Sequence, residues 1–300
     1  MGTGRGAQRP HPGTEGAFVR SLLPVNKIIP SSCVDGPGNR TVVFFQGCNF
    51  NCTYCHNPET INRCNDCGLC VPGCPVDALT LQNGKVVWDQ ERCIGCDACI
   101  SVCPHSASPK VRFMNAEEVA ALVESNLPFI RGVTFSGGEC MLQAELLAPL
   151  SERLHESVGS VLLDSNGSID FSAHLSLLDA CDGVMLDMKC FDEEHHKRLT
   201  GQSNRIVKQN LEYLAENGKL TEVRTVVIPE VLPNEETVIR TAELIARHIP
   251  DGLTVTYKLI RFRAHGTKGK AKGYKTPTLE YMRQLQRLVE EYRCLEVKII

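Results

Sequence analysis

A chain of 300 residues with 42% hydrophobic content can build one large α/β domain plus a small appendage, and far exceeds what a metal knuckle needs to fold. Its 16 cysteines come without a secretory signal or a long apolar run, which argues against a disulfide scaffold or a membrane span and for metal ligation in a reducing cytoplasm. A formal net charge of -3 gives no overall attraction to phosphates, so nucleic acid is not an expected partner.

Residues 1–22 read as a flexible leader: Met1 to about Gly16 is rich in Gly, Pro and Arg and lacks apolar periodicity. Cys33-Val-Asp35-Gly36-Pro37-Gly38 follows as a tight turn feeding an apolar strand, Thr41 to Gln46. That strand delivers Gly47-Cys48-Asn-Phe-Asn-Cys52-Thr-Tyr54-Cys55-His56-Asn57-Pro58. Three thiolates at C-x3-C-x2-C can each bind one iron of a cubic four-iron cluster and leave one iron free to chelate a small molecule. A zinc knuckle with His56 as fourth ligand is the competing reading of the spacing alone.

Next come Cys64-x2-Cys67-x2-Cys70-x3-Cys74-Pro75 and, after 18 residues, Cys93-x2-Cys96-x2-Cys99-x3-Cys103-Pro104. The pattern resembles bacterial two-cluster ferredoxins, with eight cysteines and both prolines in register. That resemblance implies that the fourth cysteine of each run crosses over: Cys103 joins Cys64, Cys67 and Cys70, and Cys74 joins Cys93, Cys96 and Cys99. Between the quartets, Leu79 to Trp88 reads as a hairpin about Asn83-Gly84. Trp88, the only tryptophan, is expected to pack beside the clusters, with electron relay as the alternative.

From Asn115 onward helices and strands alternate. Asn115-Ala-Glu-Glu118 is a capping-type start for a helix to about Asn126. Strands are expected at 132–136, 160–164, 183–189, 222–228 and 253–262, with helices at 141–157, 171–181, a longer region ending near Gly218, 234–248 and 277–292. Six βα units imply an α/β fold: a partial (β/α)6 TIM-type barrel over 23–60 and 111–300, with a ferredoxin-like subdomain of two [4Fe-4S] clusters inserted at 61–110. Barrel enzymes assemble their sites at the carboxyl ends of the strands. There the chain carries the cysteine loop, Ser136-Gly137-Gly138-Glu139, Asp164-Ser165-Asn166-Gly167, Asp187-Met188-Lys189, and Arg224 to Pro229. Taken singly, Gly-Gly-Glu also fits a plain strand-to-helix turn, and Asp187-x-Lys189 an exposed ion pair. Cys181, Cys190 and Cys294 read as small buried hydrophobes.

The cysteine loop with His-Asn-Pro, the Asp-Gly-Pro-Gly turn before it and the strand-end motifs resemble the radical S-adenosylmethionine (SAM) enzymes that activate glycyl radical enzymes. The eight-cysteine insert places the likeness nearest the YjjW-type subgroup. The resemblance implies an oxidoreductase whose Cys48/Cys52/Cys55 cluster cleaves SAM reductively, the 5′-deoxyadenosyl radical then taking hydrogen from a backbone glycine of a partner enzyme. It implies SAM contacts from Tyr54, Gly137, Gly138, Glu139, Asn166, Asp187, Met188 and Lys189, and a monovalent cation at Asp164, Ser165 and Asp187. Near the sixth strand, Phe262-Arg263-Ala-His265-Gly266 departs from the family's aromatic-His-x-x-Gly: Arg263 stands at the histidine position and His265 follows two residues later. Three [4Fe-4S] clusters and SAM are the expected cofactors. A flavodoxin or ferredoxin is the expected electron donor, with the accessory clusters as relay or as structural staples. The lysines at 268, 270, 272 and 275 read as a solvated run or as a surface for an acidic partner. A radical SAM enzyme for a small molecule or another peptide, and a non-catalytic electron-transfer protein, are the alternatives.

Overall fold

A computed structural model describes residues 22–300, so the leader lies outside the described residues except for its last position. The first strands are β1 (Leu23–Ser32) and β2 (Arg40–Phe45). The cysteine-rich segment holds β3 (Asn62–Arg63), β4 (Leu79–Gln82), β5 (Lys85–Trp88) and β6 (Ala107–Ser108). Then come β7 (Arg112–Met114), β8 (Gly132–Gly137), β9 (Val161–Ser165), β10 (Gly183–Asp187), β11 (Leu220–Val227), β12 (Val255–Arg261) and β13 (Leu295–Ile299).

The main sheet has the order β13-β12-β11-β10-β9-β8-β2-β1-β7. Neighbours from β2 to β13 pair in parallel. The six strands expected from the sequence are present and mutually parallel, each fed by a helical crossover. The sheet nevertheless departs from six parallel strands. β13 extends the parallel array, and β1 lies antiparallel to both β2 and β7. β1 is hard to read because it contains Pro24 and Pro30; the strand tolerates Pro24 at its second position and Pro30 in the register irregularity between Ile29 and Ser32. β13 alternates Leu-Glu-Val-Lys-Ile, the half-exposed pattern of an edge strand. It forms because the helix expected over 277–292 stops at Arg287. The long helical region before Gly218 is likewise two helices, Glu193–Thr200 and Arg205–Glu216, because Gly201 takes the left-handed conformation that ends the first.

β2 is buried at every position, as expected for a central parallel strand covered on both faces. Its neighbours feed one large apolar core that runs from Leu23 to Val289. The helix Ala116–Glu124 starts with a full capping box, Asn115 and Glu118 each accepting a backbone N–H at 2.8 Å. Among the described residues no helix is long and apolar enough to cross a membrane.

The cysteine-rich segment has little core of its own: Cys70, Leu79 and Cys99 are buried, with Val71, Cys74, Val86, Trp88 and Ile100 against them. β4 and β5 pair about Asn83 and Gly84, whose φ values of 51° and 76° suit a tight hairpin. β3 and β6 join the two ends of the segment.

Arg40, 1% exposed, ties the inner ends of three strands together. Its Nε donates to Thr134 Oγ1 at 2.8 Å, and its Nη2 donates to the carbonyls of Val133 at 2.7 Å and Ser160 at 3.2 Å. Burial lowers its pKa to about 10, opposed by Asp182. Thr134 Oγ1 passes the network on to the Asp35 carbonyl at 2.7 Å, which holds the Asp-Gly-Pro-Gly turn on the sheet. Arg40→Met removes these donors and leaves buried carbonyls unpaired. Chemical denaturation of the variant is expected to show a loss of about 2–4 kcal/mol, and no change in the unfolding midpoint would contradict this role.

Candidate functional site

The carboxyl ends of β2, β8, β9, β10, β11 and β12 surround a cavity of about 300 Å³. Cys48, Cys52 and Cys55 line it together with Tyr54, Gly137, Gly138, Asn166, Asp187 and Lys189. The thiol loop is held by backbone bonds on several sides. Gly47 and Cys48 N–H donate to Thr60 and Ile61 carbonyls at 2.8 and 2.9 Å, and Asn51 and Thr53 N–H to Thr200 and Leu199 at 2.8 and 2.9 Å. The Cys48 sulfur accepts from Phe50 N–H at 3.4 Å and from Asn166 Nδ2 at 3.6 Å.

The two glycines are required by close approach. A Cβ on Gly137, whose φ is +115°, would lie 2.2 Å from Phe45 N, and one on Gly138 would lie 2.0 Å from the Gly47 carbonyl. Glu139 N–H donates to that same carbonyl at 2.8 Å. The Glu139 side chain does not reach the cavity, in contrast to its expected part as a SAM ligand. It is 1% exposed and its carboxylate accepts from Asn166 N at 2.7 Å, Ser165 Oγ at 2.8 Å and Met141 N at 3.0 Å. Burial pushes its pKa up to about 7 against those three donors.

Two buried cations face three carboxylates. Lys189 Nζ donates to Asp187 Oδ2 at 2.8 Å and lies 5.9 Å from the Tyr54 ring centroid. Burial works against its charge, but Asp187, Tyr54 and Cys52 hold its pKa well above the usual lysine value. Arg224 Nη1 donates to Asp164 Oδ1 at 3.0 Å, and its Nε pairs with Glu222. Ser136 Oγ donates to Asp164 Oδ2 at 2.8 Å. Burial raises the Asp164 pKa, opposed first by Arg224. Of the expected cation ligands, Asp164, Ser165 and Asp187 all line the cavity, but each already has a protein partner.

Met188 and Arg263 also depart from expectation. Met188 is fully buried in the core, and its main chain is spent on Arg224 and Thr225, its N–H donating at 2.9 Å and its carbonyl accepting at 2.9 Å. Arg263 is exposed, outside the lining, and its carbonyl accepts from His56 Nε2 at 2.8 Å. His265 is exposed as well. Sequence reasoning placed Arg224 among the strand-end motifs but gave it no contact of its own. The signal was there: Glu222, Arg224 and Val226 share one face of a strand, so two charges two residues apart point inward from a buried element.

These residues fit a cluster and its SAM ligand. Burial raises the thiol pKa of Cys48 to about 12 and of Cys52 to about 11, and lifts that of Cys55, so only a strongly positive neighbour would draw off their protons. The Tyr54 hydroxyl is buried with no hydrogen-bond partner, an orphaned polar atom on the cavity wall. Two smaller cavities lie in the cysteine-rich segment. Cys74, Cys93, Cys96 and Cys99 line one; Cys64, Cys67, Cys70 and Cys103 line the other, with Cys99 also at its wall.

The radical SAM superfamily matches residues 42–245. The choline trimethylamine-lyase activating enzyme of Oleidesulfovibrio alaskensis is 32% identical over 222 residues, 67% of this chain and 71% of the relative. The isethionate sulfite-lyase activating enzyme of Desulfovibrio desulfuricans is 30% identical over 258 residues, 78% of this chain and 81% of the relative. Among solved structures, QueE from Escherichia coli shares the fold, with a TM-score of 0.51 at 14% identity over 95% of this chain and 98% of that one. The chain belongs to the radical SAM superfamily and, within it, to the activating enzymes of glycyl radical enzymes.

Proposed function

We propose that the chain is a SAM-dependent activase that installs a radical on a backbone glycine of a partner glycyl radical enzyme. The observation that carries this reading is the convergence on one cavity wall of three thiols, a bare Gly-Gly backbone and a buried lysine. When bound, a [4Fe-4S] cluster at Cys48, Cys52 and Cys55 supplies the electron that cleaves SAM to methionine and the 5′-deoxyadenosyl radical. The protein's part is to place the bonds and exclude water. Lys189 offers its ammonium to the methionine carboxylate. The Gly137 and Gly138 backbone approaches the amino group, and the Tyr54 hydroxyl and Asn166 line the same wall. A monovalent cation between Asp164, Ser165 and Asp187 belongs to the same proposal, although Arg224 already sets a positive charge beside Asp164.

The finer parts of the reading are two accessory [4Fe-4S] clusters in a ferredoxin-like insert, and an electron supply from a flavodoxin or ferredoxin. They are supported by the two cavities that each take in one crossed set of four cysteines, and by the scant core of the segment between them. None of the sixteen cysteines is in a disulfide, and a reducing cytoplasm belongs to the same proposal. The remaining strands are taken to curl as an incomplete barrel, whose open edges leave the site mouth accessible to a glycine-bearing loop.

Four measurements test this. Replacing Cys52 by Ser is expected to reduce 5′-deoxyadenosine formation to background while the fold persists, and undiminished formation would end the proposal. Lys189→Met removes one charge-assisted contact and should weaken SAM binding by about 10–100-fold with iron content unchanged, measured by isothermal titration. In the double variant Cys93→Ala/Cys96→Ala, cleavage driven by reduced flavodoxin is expected to fall while cleavage driven by a chemical reductant continues; equal rates with flavodoxin would refute relay. A glycyl radical in the partner, seen by electron paramagnetic resonance, separates an activase from an enzyme of small molecules.

A further inference from the structure

The loop after β12 does not hang free as a solvated lysine run. Thr267 is 4% exposed and its Oγ1 donates to the Ala264 carbonyl at 2.7 Å, Ala271 is fully buried, and Tyr274 packs on Phe262 with ring centroids 5.9 Å apart. The loop is also tied to the thiol loop, since the Arg263 carbonyl accepts from His56 Nε2. From this base Lys268 reaches across to the cysteine-rich segment. Its Nζ donates to the Ile100 carbonyl at 3.2 Å and to the Cys103 carbonyl at 3.3 Å. Both carbonyls sit at the C-terminal end of the short helix Ala98–Val102, where a cation is favoured; that of Ile100 also accepts from Cys103 N–H at 3.3 Å.

We infer that Lys268 fastens the cysteine-rich segment to the SAM-cluster loop and raises the reduction potential of the centre held by Cys64, Cys67, Cys70 and Cys103; this rests on the three-cluster reading above. A cavity of about 240 Å³ supports the placement, because Cys52 and Cys55 form one wall while Ser106 and Lys268 belong to the others. A second tie comes from the opposite side. Cys48 N–H donates to the Ile61 carbonyl at 2.9 Å, and the next residue, Asn62, donates from its backbone to Ser106 and from its side chain to the His105 carbonyl, both at 2.9 Å. The Cys103 end of the segment is thereby held against the SAM-cluster loop from two directions.

Lys110 lines one accessory cavity and Lys268 meets the other set only through the Cys103 carbonyl, and the two lysines differ in charge balance. Lys110, at the cavity of Cys74, Cys93, Cys96 and Cys99, is paired with Asp97. Among the described residues Lys268 has no carboxylate within ion-pair distance; its partners are neutral carbonyls. An uncompensated cation donating to the carbonyl of a ligating cysteine favours the more negative, reduced state of the centre that cysteine holds. The structure therefore assigns the higher potential to the centre at Cys103.

The test uses full-length reconstituted protein as wild type, Lys268→Met and Lys268→Arg, with iron and sulfide analysis and potentiometric titration followed by electron paramagnetic resonance. The expected result is one accessory midpoint that moves to lower potential in Lys268→Met and returns toward the wild-type value in Lys268→Arg. That same centre should be the one coupled magnetically to the signal that responds to SAM. Loss of accessory iron in Lys268→Met alone supports the fastening role, whereas loss in both variants overturns it. Equal midpoints in all three proteins, or a shift confined to the uncoupled centre, overturn the assignment to Lys268. Wild-type protein that takes up iron for a single cluster instead overturns the three-cluster reading itself.

Discussion

The contact on which the site depends is backbone against backbone: the Gly137–Gly138 turn pressed onto Gly47. Parallel pairing sets Phe45 opposite Gly137, so the thiol loop leaving β2 and the turn leaving β8 emerge side by side. Gly138 N–H then donates to the Phe45 carbonyl at 2.9 Å and Glu139 N–H to Gly47 at 2.8 Å. A single methyl at either glycine would intrude into backbone, which cannot yield as a flexible side chain can. Glu139 completes the joint from below. Its carboxylate gathers donors from the turns after β8 and β9 and its N–H holds Gly47, so one buried acid joins three chain segments around the cavity.

The cavity is polar at its centre and apolar behind, and its charges come in opposed pairs. At an effective dielectric constant of 20, opposite charges about 4 Å apart attract by about 4 kcal/mol, comparable with the several kcal/mol that burying each ion costs. Such pairs contribute little net stability. Their value lies in holding a fixed field in a site that excludes water. Lys189 with Asp187, and Arg224 between Asp164 and Glu222, set that field along the cavity. Lys258 extends the chain by pairing with Glu222 at 2.7 Å, which anchors the network at the next strand.

Much of this was legible in the sequence, for identifiable reasons. Central strands such as β2 and β8 are continuous apolar runs that end in glycine-rich polar turns, and their order along the chain dictates that those turns converge. Strands whose pairing partners are distant were harder. β1 is broken by prolines and β13 carries alternating charges, so each owes its existence to the neighbour it lies against. In the site, the residue types were readable but their orientation was not. Nothing in Gly-Gly-Glu says that the Glu139 side chain turns inward while its backbone faces the ligand space, nor that His56 reaches the Arg263 carbonyl rather than the thiols. Side-chain direction depends on which donors the fold brings near, and those donors come from elements dozens of residues away.

The same dependence governs the cysteine-rich segment. Three cysteines and a few apolar side chains cannot offset the conformational entropy of about fifty ordered residues, at about 1.5 kcal/mol each. The hairpin and the short β3–β6 pair close the segment's ends but bury little apolar surface. The proposed accessory clusters would supply the remaining stability, because ligands that must lose protons to bind couple folding to metal uptake. The SAM-cluster loop is the opposite case. Its backbone is already fastened to the Thr60, Ile61, Leu199 and Thr200 carbonyls, so the fold itself holds the three thiols in place. One chain thus holds cysteines of two kinds, those that a fold presents to a cluster and those that a cluster would have to fold.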